Sequence, residues 1–384
     1  MSNPDVIVVG CGFSGATAAR ELAEKGGKKV VILEERDHIG GNAYDCFNED
    51  GFLIHLYGPH IFHTSNKRVF DYLSRFCEWN GYQHCVKALI NNLYVPVPFN
   101  LNTIHQLFDE EKAARLEKKL VDTYGMEKKA TILELRQNSD PEIHELAEYV
   151  YQNVFLYYTM KQWGKKPEEI DPNTTARVPV FVSRDDRYFQ DTYQGLPTKG
   201  YTALIQEIVN HPSITIRLST DARKLLDVSQ PQVLFEGRPF NGIIIYTGAA
   251  DELFDCKFGR LSYRTLDFVF ETHQVDEYQP AAVVNFTTTE NYTRITEIKK
   301  MTGQKIDGKT NITKEYSKPY EGGEQIPYYS IINPETLALY AKYKELGDKI
   351  PNFYFLGRLA EFKYYNMDVT VARALELVDR ILSQ

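Results

Sequence analysis

Two apolar runs near the N-terminus flank an amphipathic segment. Residues 5–10, DVIVVG, are apolar up to a closing glycine, which is typical of a buried parallel strand. A helix is expected from Ser14 to about Lys25, because two glycines follow and would end it. Residues 30–33, VVIL, predict the next strand. Strand, helix and strand in this order predict a βαβ unit, with which nucleotide-binding folds commonly begin.

The pattern becomes helical between about residues 101 and 165. Asp140 offers an N-cap and Pro141 a first-turn proline for one of these helices. The apolar residues that follow recur at spacings of three and four, as on the buried face of a helix: Ile143, Leu146, Val150 and Val154.

Shorter runs fill the rest of the chain. Residues 176–200 and 260–335 are rich in Tyr, Thr and Val and are broken by Gly and Pro, which predicts an antiparallel sheet. Residues 243–246 and 353–356 each predict a strand that leads into a glycine-containing turn, and a final helix is expected from about Val369. We expect these later elements to return to the first βαβ unit.

The predicted fold class is therefore α/β. A discontinuous Rossmann-like domain is expected to bind a dinucleotide, with an inserted helical domain and an antiparallel β-sheet domain for the substrate. The expected boundaries are residues 1–80, 205–258 and 345–384 for the first domain, 100–170 for the second, and 81–99, 171–204 and 259–344 for the third.

The composition agrees with two or three packed domains, since 43% of the 384 residues are hydrophobic. The formal net charge of −8 argues against a surface for nucleic acid or for anionic membranes, although an acidic protein can hold a local basic pocket for phosphates. No apolar run approaches the roughly 18 residues of a membrane span, and no export signal is visible, so the cytoplasm is the expected location.

Cysteine and tyrosine usage adds two points. The five cysteines are scattered and lack C-x-x-C spacing, so we expect reduced thiols, neither disulfides nor zinc ligands. The 26 tyrosines suit a polar ligand, because each offers a ring for stacking and a hydroxyl for hydrogen bonding.

Residues 10–15, GCGFSG, fit the G-x-G-x-x-G pattern of a dinucleotide site. Glycines allow a sharp turn and a close approach of the backbone to a pyrophosphate, which binds the amides at the helix N-terminus. Alone the pattern is weak, since glycine-rich turns are common. Here it lies between a predicted strand and a predicted helix, and Glu34 ends the next strand, where a carboxylate would bind a ribose hydroxyl.

The residues after Glu34 favour FAD over NAD. Residues 34–42, EERDHIGGN, resemble the E-x-R-x-x-x-G-G stretch of flavoproteins with two dinucleotide-binding motifs, in which the arginine and the glycine pair support the FAD pyrophosphate. Gly357 and Arg358, which precede a predicted helix, resemble the second FAD segment of that superfamily.

Residues 58–64, GPHIFHT, are a second distinctive segment. A pair of histidines in a turn is one interpretation. A metal site is another, because His55, His60 and His63 are close in sequence. No Asp, Glu or Cys stands among them to complete a site, so we expect no metal.

This segment resembles the G-[PA]-H-I-F-H-T that UDP-galactopyranose mutases carry beside the flavin. Further segments match that family in the same order: YTMKQWG at residues 158–164, YTRITE at 292–297, IPYY at 326–329 and the final flavin segment at 357–367. The resemblance extends from about residue 5 to about residue 380.

The resemblance implies an isomerase that interconverts the pyranose and furanose forms of a nucleotide sugar, with UDP-galactopyranose and UDP-galactofuranose as the expected pair. It implies that FAD is active when reduced and that its N5 atom attacks the anomeric carbon and expels the nucleotide diphosphate. The ring then opens and recloses through a different hydroxyl. The family is commonly dimeric or larger, so a homodimer or a higher homo-oligomer is expected.

The resemblance also implies residue roles. Arg177 and Arg294 would neutralise the diphosphate. Without the resemblance, the alternative interpretation of each arginine would be a partner in a surface ion pair. Tyr158 and Trp163 would contact the nucleobase, and His63 would lie near the flavin and the sugar. The catalytic candidates are Arg177, Arg294 and His63. The substrate-binding candidates are Phe155, Tyr158, Thr159, Trp163, Arg177, Tyr188, Asn285, Arg294, Tyr329, Tyr364 and His84. The cofactor-binding candidates are Gly10, Gly12, Phe13, Ser14, Gly15, Glu34, Glu35, Arg36, Gly41, Asn42, His60, Ile61, Arg358, Tyr364, Met367, Asp368 and Val369.

Four positions depart from the family pattern. Asn366 replaces the usual aspartate, His84 replaces an asparagine, Val154 replaces a bulkier residue, and Phe181 stands where an arginine often occurs. They leave open another nucleotide sugar, such as a deoxy or N-acetylated one. A flavin oxidoreductase such as an amine oxidase and a non-catalytic nucleotide-sugar-binding protein are the alternatives from other classes.

Overall fold

The computed structural model describes residues 4–164, 166–169, 179–229, 232–288 and 290–384. Its helices are α1 (Phe13–Glu24), α2 (Lys67–Leu73), α3 (Leu101–Leu107), α4 (Glu110–Tyr124), α5 (Ile132–Arg136), α6 (Pro141–Val150), α7 (Tyr157–Trp163), α8 (Tyr201–Val209), α9 (Ala250–Leu253), α10 (Lys299–Thr302), α11 (Pro334–Asp348) and α12 (Met367–Leu382). A π-helical turn covers Tyr151–Leu156, and 3-10 turns cover Gly41–Ala43, Pro167–Glu169 and Ala222–Lys224.

The strands are β1 (Val6–Val9), β2 (Val30–Leu33), β3 (Asp45–Phe47), β4 (Leu53–His55), β5 (Phe62–Thr64), β6 (Val86–Ile90), β7 (Leu93–Val97), β8 (Lys128–Ala130), β9 (Val180–Val182), β10 (Tyr193–Gly195), β11 (Ile214–Arg217), β12 (Leu226–Asp227), β13 (Leu234–Phe235), β14 (Arg238–Pro239), β15 (Ile243–Tyr246), β16 (Tyr263–His273), β17 (Val283–Phe286), β18 (Arg294–Glu297), β19 (Thr310–Pro319), β20 (Tyr329–Ser330) and β21 (Phe353–Phe355).

A five-stranded parallel sheet is formed by distant parts of the chain, in the order β11-β2-β1-β15-β21. Val6, Ile7 and Val8 of β1 are fully buried and Val9 partly, as expected for a central parallel strand covered on both faces. Helices α8 and α12 pack against α1 beside this sheet. The predicted α/β class, the βαβ unit and the two later strands are therefore confirmed.

A seven-stranded sheet has the order β20-β16-β19-β18-β17-β6-β7. Its long strands β16 and β19 pair antiparallel from Arg264 opposite Pro319 to His273 opposite Thr310. The expected antiparallel sheet is thus present, with one difference: β6 and β17 pair in parallel. The hairpin of β6 and β7 precedes the other strands of this sheet by more than 160 residues in the chain. No tight turn therefore connects β6 to β17, and the two strands can run in the same direction.

Residues 180–195 do not join that sheet, contrary to the sequence-based expectation. Strand β9 pairs with β8, which interrupts the stretch expected to be helical, and β10 pairs with β5. Each of these strands has three residues, and such short strands carry too little pattern to specify a partner.

In the helical region from α3 to α7, polar side chains cap the N-termini of several helices. Asp140 accepts hydrogen bonds from the amides of Glu142 and Ile143, and Pro141 occupies the first turn, as predicted. The π-helical turn at Tyr151–Leu156 then leads directly into α7. No helix in the described part of the chain is long and apolar enough to cross a membrane.

Asp45 connects β3 to the start of α8. Its carboxylate, which is buried, accepts hydrogen bonds from the amides of Tyr201 at 2.6 Å and Thr202 at 2.8 Å. Gly200, with φ of +89°, allows this approach, because a Cβ atom there would stand 2.6 Å from the Asp45 carboxylate. The carboxylate therefore acts as the N-terminal cap of α8 from a distant strand.

We expect Asp45→Ala to lower the free energy of unfolding by about 1–3 kcal/mol, because it leaves two amides at the start of α8 without an acceptor. Chemical denaturation of the FAD-saturated protein measures this change. Asp71→Ala is the matched control, since that exposed carboxylate pairs only with Lys67 at 2.6 Å among the contacts described, and its loss should cost less than about 0.5 kcal/mol. Equal effects of the two substitutions would contradict the capping role.

Candidate active site

A cavity of about 280 Å³ lies at the carboxyl edge of the parallel sheet, and we call it the sheet-edge cavity. The sequence-predicted cofactor residues that line it are Gly10, Gly12, Phe13, Ser14, Glu34, Glu35, Arg36, Gly41, Asn42 and Arg358. Ligands of open parallel sheets bind at this edge, where the strands end and helices begin.

The glycine turn between β1 and α1 is as tight as the motif predicts. A Cβ atom at Gly15 would stand 2.0 Å from the carbonyl oxygen of Gly10, so only glycine allows α1 to start this close to β1. Gly41 approaches the turn from outside, since its Cβ atom would lie 2.9 Å from the Cα atom of Gly12. Gly15 itself serves this packing and does not line the cavity.

Glu34 is buried directly after β2 and stabilises the glycine turn between β1 and α1. Its carboxylate accepts hydrogen bonds from the amide of Cys11 at 2.7 Å and from the amide of Arg36 at 3.0 Å. The sequence motif predicts a carboxylate for a ribose hydroxyl at this strand end, but it does not predict the bond to Cys11.

The guanidinium of Arg36 is fixed by its neighbours, but one of its hydrogen-bond donors has no acceptor among the described residues. Its Nη2 atom donates to Oδ1 of Asn42 at 2.8 Å, and its guanidinium lies 4.3 Å from the ring centre of Tyr57. Its Nη1 atom is buried and has no hydrogen-bond acceptor among the described residues. A buried cationic donor without an acceptor fits an anionic group such as a pyrophosphate.

A second cavity, of about 390 Å³, lies beside the first, and we call it the aromatic cavity. Asn42 and Arg358 line both cavities, so the two spaces meet at these residues. The predicted site residues that line the aromatic cavity are His60, Ile61, His63, His84, Tyr158, Tyr188, Asn285, Arg294, Tyr329, Tyr364 and Met367.

Arg294 lies on β18, directly opposite Glu315 of β19. Its Nη2 and Nε atoms donate to the same carboxylate oxygen of Glu315 at 2.7 and 2.8 Å, and Glu315 is 2% exposed. Burial acts to lower the pKa of Arg294, but the charge of Glu315 outweighs it and holds this pKa above its ordinary value. The site therefore contains a permanently charged guanidinium of fixed orientation.

Two tyrosine hydroxyls of the cavity stay protonated. Burial raises the pKa of Tyr158 well above its ordinary value and raises the pKa of Tyr329 to about 12. Arg358 lies 5.6 Å from the ring centre of Tyr329 and 5.0 Å from that of Tyr364. Neutral hydroxyls beside guanidinium groups are suitable donors for phosphate oxygens.

Helix α7 carries Tyr158 and is tied to the seven-stranded sheet by two cations. Lys161 donates to the carbonyl oxygens of Phe286 at 2.6 Å and Glu290 at 2.9 Å. Arg264 donates to the carbonyl oxygen of Gln162 at 3.0 Å, at the end of the helix. These contacts explain the lysine of the YTMKQWG segment as structural.

Several predicted residues lie away from the cavities. Phe155 of the π-helical turn and Thr159 of α7 are buried, and Trp163 lines neither cavity, with its ring centre 6.0 Å from that of Tyr329. Asp368 accepts a hydrogen bond from Thr64 at 2.9 Å and lines neither cavity. Val369 is exposed and also lines neither cavity. Arg177 lies outside the described residues.

The four departures from the family pattern divide into two groups. His84 and Asn366 line the aromatic cavity. Val154 and Phe181 are buried in the core and do not line it. Only the first pair is placed to touch a ligand in that cavity.

Several residues of the site were not predicted from the sequence. Glu315, Tyr57 and Phe189 line the aromatic cavity, and Asp191 forms a hydrogen bond with His63. Tyr328, which also lines it, belongs to the quoted IPYY segment. The others come from distant strands and turns and carry no local motif.

Three histidines near the cavities are neutral: His55 and His84 are buried, and His60 is half-buried. Burial lowers the pKa of His55 to about 4 and the pKa values of His60 and His84 to about 3. His55 accepts a hydrogen bond from the amide of His60 through Nδ1 at 3.0 Å. Among the residues that the structure describes, no group of three or more His, Cys, Asp or Glu side chains could hold a metal ion.

Comparison with known proteins places this chain in a family. The model of the UDP-galactopyranose mutase family matches residues 153–364, and that of NAD(P)-binding Rossmann-like domains matches residues 8–76. The probable UDP-galactopyranose mutase of Klebsiella pneumoniae is 38% identical over 100% of this chain and 96% of its own length. The chain belongs to the UDP-galactopyranose mutase family.

Two further relatives bear on this assignment. A dTDP-fucopyranose mutase of Escherichia coli is 35% identical over 97% of this chain and 96% of its own length. The crystal structure of a reduced UDP-galactopyranose mutase superposes with a TM-score of 0.76 at 18% identity, over 100% of this chain and 94% of that one, which shows the shared fold. The chain is accordingly a flavin-containing isomerase of the nucleotide-sugar mutase class, and the resemblance predicted from its motifs is confirmed.

The buried histidines predict how stability depends on pH. An unfolded histidine takes up a proton near pH 6.5, whereas folded His55 does so only near pH 4, so the unfolded state binds more protons between these values. Stability should therefore fall as pH drops below 6.5, with about 2 kcal/mol lost at pH 5 for His55 alone. His60 and His84 act in the same direction.

We expect His55→Gln to flatten the pH dependence of the unfolding free energy between pH 6.5 and 4.5, because one of three such protons no longer contributes. Glutamine retains an acceptor for the amide of His60, so we expect the variant to fold. Denaturant titrations of FAD-saturated wild type and variant at several pH values measure the two slopes, and identical slopes would show that His55 does not remain neutral.

Proposed function

We propose that this protein converts UDP-galactopyranose into UDP-galactofuranose, with FAD as a cofactor that is active when reduced. The observation that carries the proposal is the junction of the two cavities at Asn42 and Arg358. A dinucleotide at the glycine turn can extend its reactive end toward a space lined by tyrosines, Arg294 and histidines. The relation to the Klebsiella pneumoniae protein supports the choice of sugar nucleotide.

The proposed FAD site is the sheet-edge cavity. The first-turn amides of α1 and the buried Nη1 atom of Arg36 suit a pyrophosphate, and Glu34 suits a ribose hydroxyl. Gly357, with φ of +102°, turns the chain after β21 so that Arg358 reaches both cavities. When bound and reduced, FAD supplies the nucleophile for the anomeric carbon through its N5 atom.

The proposed diphosphate site is built around Arg294. Its orientation is preset by Glu315, so little reorganisation is needed when negative charge grows on the departing diphosphate. The neutral hydroxyls of Tyr158 and Tyr329 are placed to add hydrogen bonds in the same cavity. Arg177 is proposed as the second cationic partner on the strength of the family resemblance.

The nucleobase is proposed to contact Tyr158 and Trp163, as the family resemblance implies. Phe155 and Thr159 support α7 from its buried side, so their part in substrate binding would be indirect. The division into three domains, the homodimer or larger homo-oligomer and the cytoplasmic location are further proposals that rest on the sequence pattern and the family resemblance.

A second candidate is the same reaction on another nucleotide sugar. His84 and Asn366, two of the four residues that depart from the family pattern, line the aromatic cavity. Since the Escherichia coli relative is named for a dTDP-linked deoxy sugar, a change of sugar or base within this family is chemically accessible.

We expect the purified protein to be yellow, to release FAD on denaturation, and to convert a nucleotide furanose only after the flavin is reduced. Dithionite-treated and untreated enzyme are incubated with UDP-galactofuranose, UDP-galactopyranose and their dTDP-fucose counterparts, and products are separated by chromatography. No reductant should be consumed in proportion to product. Equal turnover in both redox states would contradict the proposed reaction, and preference for the dTDP sugar would favour the second candidate.

We expect Arg294→Ala to lower turnover of the reduced enzyme by one to two orders of magnitude. A charge-assisted hydrogen bond is worth about 1.5–3 kcal/mol, and about 1.4 kcal/mol corresponds to a factor of ten in rate. Lysine at this position should restore part of the activity, because it returns the charge without the planar guanidinium. Initial rates with reduced enzyme measure these effects, and FAD content should stay near that of the wild type.

The matched control is Arg217→Ala, which removes an arginine paired with Glu236 at the same 2.7 Å but outside both cavities. Its turnover should equal that of the wild type. Full activity in Arg294→Ala would exclude the proposed role of this arginine at the diphosphate.

A further inference from the structure

His63 lines the aromatic cavity and also contacts a carboxylate. It lies on β5 between Phe62 and Thr64, which are both fully buried on the other side of the strand. Because side chains alternate along a strand, His63 faces the cavity. Its Nδ1 atom lies 2.7 Å from Oδ2 of Asp191.

Asp191 is held by the strand pair that carries His63. It precedes β10, in which Gln194 pairs with His63 of β5. The second carboxylate oxygen of Asp191 accepts a hydrogen bond from Ser65 at 3.0 Å, and its main-chain carbonyl accepts one from Gln194 at 3.2 Å. The carboxylate thus has little freedom to leave the imidazole.

Phe189 fixes the plane of the same imidazole. Its ring stacks on His63 with centres 3.5 Å apart and an angle of 10° between the planes. A stacked ring can turn only within its plane, and the hydrogen bond to Asp191 prevents that turn as well. Position, plane and in-plane orientation of His63 are therefore all defined.

An ionised carboxylate can only accept hydrogen bonds, so the short contact requires a proton on Nδ1 of His63. In the neutral imidazole this leaves Nε2 with a lone pair. We propose that Asp191 is a positioning residue that fixes His63 in the Nδ1–H tautomer, so that Nε2 accepts a hydrogen bond from a hydroxyl of the bound sugar. The part concerning the sugar rests on the proposed function; the tautomer does not.

The test is Asp191→Asn in the FAD-bound protein. Because Ser65 donates to the other oxygen of this side chain, the NH2 group of the asparagine is expected to face Nδ1 and donate to it, which would move the ring proton to Nε2 and turn the acceptor into a donor. ¹⁵N spectra of histidine-labelled protein show which ring nitrogen of His63 carries the proton, and the resonance is assigned by its loss in His63→Gln. We expect kcat/KM of the reduced enzyme to fall about 10–100-fold, with unchanged FAD content.

Two further variants separate positioning from general damage. Asp191→Glu keeps the acceptor and should restore the wild-type tautomer and part of the activity. Asp71→Asn removes an exposed carboxylate outside both cavities and should change neither the spectrum nor kcat/KM.

The outcomes are distinct. A proton on Nδ1 in the wild type that moves in Asp191→Asn together with a lower kcat/KM supports the proposal. An unchanged tautomer in that variant, or a changed tautomer with full activity, overturns it. If the reduced wild type converts no nucleotide sugar, the proposed function fails, and the proposal about the tautomer is then decided by the spectra alone.

Discussion

The close packing of α1 against β1 is the constraint on which both cavities depend. A Cβ atom at Gly15 would stand 2.0 Å from the carbonyl oxygen of Gly10, so the helix can begin directly at the strand end only because glycine occupies this position. This start places the unpaired amides of the first helical turn at the edge where the other parallel strands also end. Glu34 stabilises the turn from β2, and Arg36 adds a half-buried cation beside it. The aromatic cavity then opens from this edge at Asn42 and Arg358.

Burial determines which groups of the aromatic cavity are charged. Tyr158, Tyr329 and His84 stay neutral because a buried ionised group lacks hydration. Arg294 remains charged because Glu315 faces it across two antiparallel strands. A diphosphate entering this space would meet neutral donors, the guanidinium of Arg294 paired with Glu315, and the further cations Arg358 and Lys129, although the chain as a whole carries a formal charge of −8. Removing Arg294 alone would leave the buried carboxylate of Glu315 without this cationic partner.

Local motifs allowed correct predictions where neighbouring residues in the sequence form the structure. The glycine turn and the N-cap at Asp140 are examples, because both depend on backbone geometry within a few residues. Pairing of short strands was not predictable in this way: β8, β9 and β10 each have three residues, and their partners lie elsewhere in the chain. The family resemblance likewise did not separate Tyr158, which lines the cavity, from Phe155 and Thr159, which are buried and do not line it.

The sequence by itself determined the α/β class, the dinucleotide-binding turn and the family, because each depends on consecutive residues whose chemistry is constrained locally. It also named Arg294 and His63. Only the tertiary structure decided what these two side chains contact, since Glu315 and Asp191 reach them from strands and turns that are distant in the chain. The state of a charged or titratable side chain depends on its burial and its partners, and both exist only after the chain has folded.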